Sequence, residues 1–336
     1  MRMTHAVVLA CVFSVYCGGG GGGGGGPTDP LPNPPSPPGQ QTVFHHQSPL
    51  GDFAVYLPPG VSTYRGAILM APGATRDTRV IADTSLAYGI GGFPETTFQD
   101  YRTRVLTLAQ EHGLAVMGAR LPPNATALNA LDNLLDAMVQ VAAESQHPEL
   151  ATAPFLFDGG SAGGCFSYAF TRRYPERVIG FVTQKGGCHD IRDGGAARQV
   201  PGFLVIGGAD TRDRCLNLTT LFENNRPLGA LWALTVEPGA PHDRMTDFDL
   251  MLHWMDIVLE SRLPAPGGPA TLRPMSEESG WLGDRETAAV AQFSAYDKDK
   301  GLASWLPSAQ AATGWSAFVS PGRPLTCPAD PPPGGE

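Results

Sequence analysis

The sequence predicts an α/β fold: a mostly parallel sheet with helices on both faces, followed by a C-terminal extension. Three observations carry that expectation. Short, continuously apolar runs such as "GAILMA" (66–71), "LAVMGA" (114–119) and "GFLVIG" (202–207) read as strands buried on both faces. Segments with helical spacing lie between such runs, above all "NALDNLLDAMVQVAAES" at 129–145. The alternation persists from Thr42 to Leu263, which implies crossover connections and parallel pairing.

Taken in order, "TVFHHQ" and "FAVYLPPG" open as two short strands, the second stopped by Pro58-Pro59-Gly60. "GAILMAPG" follows as a strand closed by Pro72-Gly73. The helix "FQDYRTRVLTLAQEHG" has helical spacing of Tyr101, Val105, Leu106 and Leu108 and ends at Gly113. After "LAVMGA" and the helix 129–145 come strand "APFLFDG", a helix from Ser161, and strands "RVIGFVT" and "GFLVIGG". Helix "LTTLFENN" (218–225), strand "LWALTVEP" and helix "DFDLMLHWMDIVLESR" complete the pattern. From Pro264 the alternation stops. Met275 to Val319 carries Trp281, Trp305 and Trp315 among polar residues, and "CPADPPPGGE" ends the chain as a loose tail. Core packing is the expected use of those tryptophans, with a binding platform for polymer or glycan as the alternative.

The chain has 336 residues and a net charge of −9, without a Lys/Arg cluster that would track phosphates, so nucleic-acid binding is not expected. Arg2 and the apolar run Ala6 to Tyr16, too short to span a bilayer, have the form of an export signal. Cys17, a glycine run from Gly18 to Gly26 and a Pro-rich stretch follow; this resembles a bacterial lipoprotein signal with its tether. Cys17 is then the candidate lipidation site and membrane anchor, with Tyr16 where a small residue is usual. "VLAC" ending at Cys11 matches the local pattern better but leaves a shorter apolar core. An ordinary cleaved signal peptide is the other option. No C-x-x-C spacing occurs among Cys165, Cys188, Cys215 and Cys327, so neither zinc nor any other metal is expected. Cys188 and Cys215 each follow a predicted strand and are the candidate disulfide pair, with Cys165 read as a small buried apolar residue.

Gly159-Gly160-Ser161-Ala162-Gly163 matches G-x-S-x-G between a strand and a helix, the context in which a serine nucleophile sits on a strained turn. A serine hydroxyl needs a base, and the base an orienting acid. Asp210 lies just past the strand "GFLVIGG", and His242 in the loop after "LWALTVEP", so both emerge at the sheet end where Ser161 lies. Asp213 is the rival acid and His189 the rival base, though His189 precedes both acids. For the oxyanion hole, backbone N–H groups are expected from Ala162 and from Ala74 or Thr75.

These residues resemble the α/β-hydrolase superfamily, and within it the polyhydroxybutyrate depolymerase and feruloyl-esterase-like group. "GGSAGG", the Tyr174-Pro175 dipeptide closing its helix and "GGADT" around Asp210 carry the likeness, which covers Phe53 to Arg262. The chain departs from it at "APGA", where a histidine-glycine pair is usual, and at "GAPHD". The resemblance implies an exported serine esterase acting on a small or polymeric ester through an acyl-enzyme, with no cofactor. A serine peptidase, a lipase or a non-catalytic surface-binding module on the same fold are the alternatives. The organisation expected is a signal at 1–17, a flexible linker at 18–41, a catalytic domain at 42–263 and an extension at 264–336.

Overall fold

The computed structural model describes residues 42–74, 76–90, 93–244, 248–265, 271–319 and 327. The segments expected to be a signal (1–17) and a linker (18–41), with Cys11 and Cys17, lie outside the described residues, as do Thr75 and the expected loose tail after Cys327. An eight-stranded sheet runs in the order β1-β2-β4-β3-β5-β6-β7-β8. Its strands are β1 (Val43–His46), β2 (Asp52–Tyr56), β3 (Gly66–Ala71), β4 (Leu114–Arg120), β5 (Phe155–Gly160), β6 (Val178–Gln184), β7 (Gly202–Gly207) and β8 (Trp232–Glu237). β1 pairs antiparallel with β2 and β2 with β4. Every other pairing in this sheet is parallel, as the alternation of apolar runs and helices requires.

Strand geometry sends successive side chains to opposite faces, and β3 makes the division visible. Ala67, Leu69 and Ala71 belong to one buried cluster, with Leu131, Leu134 and Met138 of α2 (Leu128–Ser145) and Phe166 and Phe170 of α3 (Ala162–Arg173). Ile68 and Met70 belong to the other, with Phe98 and Val105 of α1 (Glu95–His112) and Trp254 and Val258 of α5 (Phe248–Arg262). Burying one such side chain contributes about 1.5–3 kcal/mol. Between α3 and α5 lies α4 (Arg212–Asn225), which starts six residues before the expected Leu218. Its first turns read Arg-Asp-Arg-Cys-Leu-Asn, too polar to show a helical period, yet Thr211 is extended (φ −65°, ψ 147°) and hands over directly to the helix.

Beyond the sheet, β9 (Trp281–Gly283), β10 (Val290–Gln292) and β11 (Ser304–Leu306) form a small antiparallel sheet, followed by α6 (Ala309–Phe318). Three-residue strands have no readable period, so none was legible in the sequence. They close the free edge of β8: Ser304 Oγ accepts from Leu234 N–H at 3.0 Å and donates to Leu234 O at 3.0 Å. Trp315 Nε1 donates to the same carbonyl at 3.2 Å. Trp305 and Trp315 are buried, so they serve packing rather than a binding platform, and Trp281 is half-buried.

The cysteines pair otherwise than expected. Cys165 is bonded to Cys188 and Cys215 to Cys327, so neither the Cys188–Cys215 bridge nor a free Cys165 is present. The chain leaving β6 turns back over the first turns of α3, which brings Cys188 to Cys165 with Cα atoms 5.7 Å apart. Cys215 sits inside α4 and meets Cys327 instead.

Candidate active site

All the parallel strands end on one side, and the connections after β5, β7 and β8 carry Ser161, Asp210 and His242. Between β5 and α3, Ser161 has φ 52° and ψ −120°, a left-handed conformation that an L-residue adopts only when its surroundings force it. The surroundings are glycines used for proximity. A Cβ on Gly163 would lie 2.3 Å from Ala71 O, and one on Gly159 2.4 Å from Gly163 O. Only hydrogen atoms there let α3 press against the ends of β3 and β5. The Cys165–Cys188 bond and the Ser161 N–H to Gln184 O hydrogen bond (2.7 Å) fix the same turn to β6.

Ser161, Asp210 and His242 come together. His242 Nε2 is 3.0 Å from Ser161 Oγ, and His242 Nδ1 is 2.9 Å from Asp210 Oδ2. Asp210 also accepts from its neighbour Thr211 N–H at 2.7 Å and from Arg214 Nη1 at 2.8 Å. Burial pushes the Asp210 carboxyl up, but these bonds, led by His242, outweigh it and hold it below the ordinary carboxylate range. An ionised Asp210 keeps the proton of the neutral imidazole on Nδ1, leaving Nε2 as acceptor toward the serine hydroxyl.

Neither rival reaches the serine. Asp213 is exposed in the first turn of α4. His189 is buried, with Nε2 2.8 Å from Thr183 Oγ1 and Nδ1 2.9 Å from Asn217 Oδ1. Burial pulls its pKa down to about 4, against the opposing hydrogen bond with Asn217. It is a neutral packing histidine.

The expected oxyanion donors fall beside the serine. Ala162 opens α3, where first-turn N–H groups have no intrahelical acceptor. Ala74 lines the same cavity as Ser161 and His242, which measures about 310 Å³. The loop that carries it touches the Ser161 turn: a Cβ on Gly73 would lie 3.4 Å from Ser161 Cβ.

Several charged residues around the site were not singled out from the sequence. Lys185, following β6 with φ 53°, is 1% exposed and ion-paired with Asp243 at 2.6 Å and Glu237 at 2.8 Å. It therefore ties down both the end of β8 and the residue after His242. Asp158, buried in β5, accepts from Tyr101 Oη at 2.7 Å and Gln184 Nε2 at 2.5 Å, and lies 3.4 Å from Arg244. Single charges inside apolar strands or loops carry no spacing signature, so only their low frequency in such runs could have flagged them.

No family model matches this chain, and no curated protein matches it. Among solved structures it is similar to poly(aspartic acid) hydrolase-1 from Sphingomonas sp. KT-1, at 14% identity, 61% of this chain, 94% of that one and a TM-score of 0.43. It is also similar to a thermostable esterase, at 15% identity and a TM-score of 0.42, covering 63% of this chain and 56% of that one.

Proposed function

We propose that the protein is an exported serine hydrolase of the α/β-hydrolase type that cleaves carboxylic esters through an acyl-enzyme. The observation that carries this is the relay of 3.0 Å and 2.9 Å from Ser161 through His242 to Asp210, built on a strained strand-to-helix turn. His242 takes the Ser161 proton as Oγ attacks the ester carbonyl. The N–H groups of Ala162 and Ala74 hold the oxyanion, and His242 returns the proton to the leaving alcohol. Water, deprotonated by His242, then releases the acid and regenerates Ser161. Asp210 keeps the imidazole oriented and stabilises its cationic form.

Residues 42–263 form the catalytic domain in this reading, and 264–336 an extension that protects the β8 edge. The two disulfides favour an oxidising compartment, in keeping with the export signal and a lipid anchor at Cys17. Within the superfamily the polyhydroxybutyrate depolymerase and feruloyl-esterase-like group is the nearest kin we propose. Turnover of a p-nitrophenyl short-chain ester tests the assignment: Ser161→Ala loses about 10³-fold or more in kcat/KM with the melting temperature preserved. Full activity in that variant would refute the nucleophile.

A further inference from the structure

Among the described residues that line the cavity beside Ser161, arginines outnumber carboxylates. The protein carries −9 overall, yet Arg76, Arg214 and Arg244 line this cavity with Asp243 as the opposing carboxylate. Asp243 is already held by Lys185 Nζ at 2.6 Å. The acids that offset the arginines lie beneath the wall: Asp158 and Asp210 are both buried.

How firmly each guanidinium is engaged differs. Arg214 gives Nη1 to Asp210 Oδ1 at 2.8 Å, and Asp210 must also serve His242. Arg244 is buried, yet among the described residues its contacts with Asp158, Nη1 and Nη2 to Oδ2 and Nη2 to the backbone O, are all 3.4 Å, at the long limit for a hydrogen bond. Asp158 spends its shorter bonds on Tyr101 and Gln184. Arg76 is exposed and has no ion pair among the described residues. Arg244 is also close to the chemistry: a Cβ on Gly160, the residue before the nucleophile, would lie 3.2 Å from its Nη1.

A buried guanidinium that lines a cavity and has only long contacts to its partner leaves planar donors that suit a carboxylate. We infer that this cavity takes esters that carry a free carboxylate near the scissile bond, held by Arg244 with Arg76 and Arg214 around it. The inference rests on the serine-hydrolase reading for the position of the scissile carbonyl, while the arginine cluster itself does not.

Two pairs of esters, alike in size and differing in one charge, test it on the full chain. Mono-p-nitrophenyl glutarate against p-nitrophenyl valerate puts the carboxylate on the acyl side, and 4-acetoxybenzoate against phenyl acetate puts it on the leaving group. After subtraction of uncatalysed hydrolysis, kcat/KM for the charged member of at least one pair exceeds its neutral partner about tenfold, the size of one charge-assisted hydrogen bond. Salt erodes the preference. Arg76→Glu, a change at an exposed site, lowers the ratio about fivefold. Neutral esters matching or outrunning both charged ones would overturn the inference and leave the hydrolase reading standing. Should no ester be turned over, the hydrolase reading fails and calorimetry with monomethyl glutarate against the neutral methyl valerate decides the arginine site alone. Monomethyl glutarate binding that exceeds methyl valerate binding and weakens in Arg76→Glu supports it, and no such binding, or binding unchanged in Arg76→Glu, overturns it.

Discussion

The Ser161 turn and the His242 loop meet across a 3.0 Å contact, but different physics holds each in place. The turn at Ser161 is fixed by backbone pressed against backbone, with Gly159 and Gly163 at distances that no side chain could share, and by a disulfide. Among the described residues, the loop after β8 has one long-range backbone bond, Ala209 N–H to Ala240 O at 2.9 Å, and past it the contacts are charged. His242 leans on Asp210, Asp243 on Lys185 and Arg244 on Asp158. Steric fixing is indifferent to pH and salt, whereas ionic fixing is not. Ser161 is held rigidly and His242 adjustably.

Four variants break or sharpen that contrast. Asp210→Asn keeps the shape but removes the charge that sets the imidazole tautomer, and kcat should fall by about 10⁴-fold with the fold intact. Steady-state kinetics beside a circular-dichroism melt would check it. Gly163→Ala drives a methyl into Ala71 O and Pro72 O, both rigid backbone atoms. We expect a stability loss of about 3 kcal/mol, the upper range for overpacking, unchanged between low and high salt in urea titrations.

Lys185→Met leaves Asp243 and Glu237 without their shared cation. A stability loss of about 3 kcal/mol is expected, the lower range for breaking a buried pair, with kcat also reduced because the His242 loop loosens. Unaltered kcat would mean that the loop needs no ionic anchor. The smallest effect concerns acid. His189 is held down at about 4 in the folded chain against an ordinary 6.5, so between those values the unfolded chain binds the extra proton. Stability is therefore full above that window and declines as pH falls through it, and His189→Gln should flatten the decline in urea titrations at pH 7 and 5.

What could be read in the sequence divides along the same line. The parallel strands were legible because burial on both faces writes a continuous apolar run, and "GGSAGG" because close backbone approach excludes every residue but glycine. Asp210 and His242 were legible through their place after such strands. Lys185, Arg244 and Asp158 were not, since an ion pair between residues 58 apart, as in Lys185 and Asp243, leaves no local pattern. The disulfides were misassigned for a related reason: Cys188 and Cys215 follow neighbouring strands, but their partners depend on how each loop turns back. The short strands β9 to β11 fill an edge without a repeat to announce them.

The central claim is that His242 and Asp210 activate Ser161, and labelling with a fluorophosphonate probe, mapped by peptide mass, tests it most directly. The account predicts a single adduct on Ser161 in the intact chain, formed at least about 10²-fold more slowly in His242→Ala, the low end for loss of a general base. An unlabelled Ser161, or labelling equally fast without His242, would contradict it.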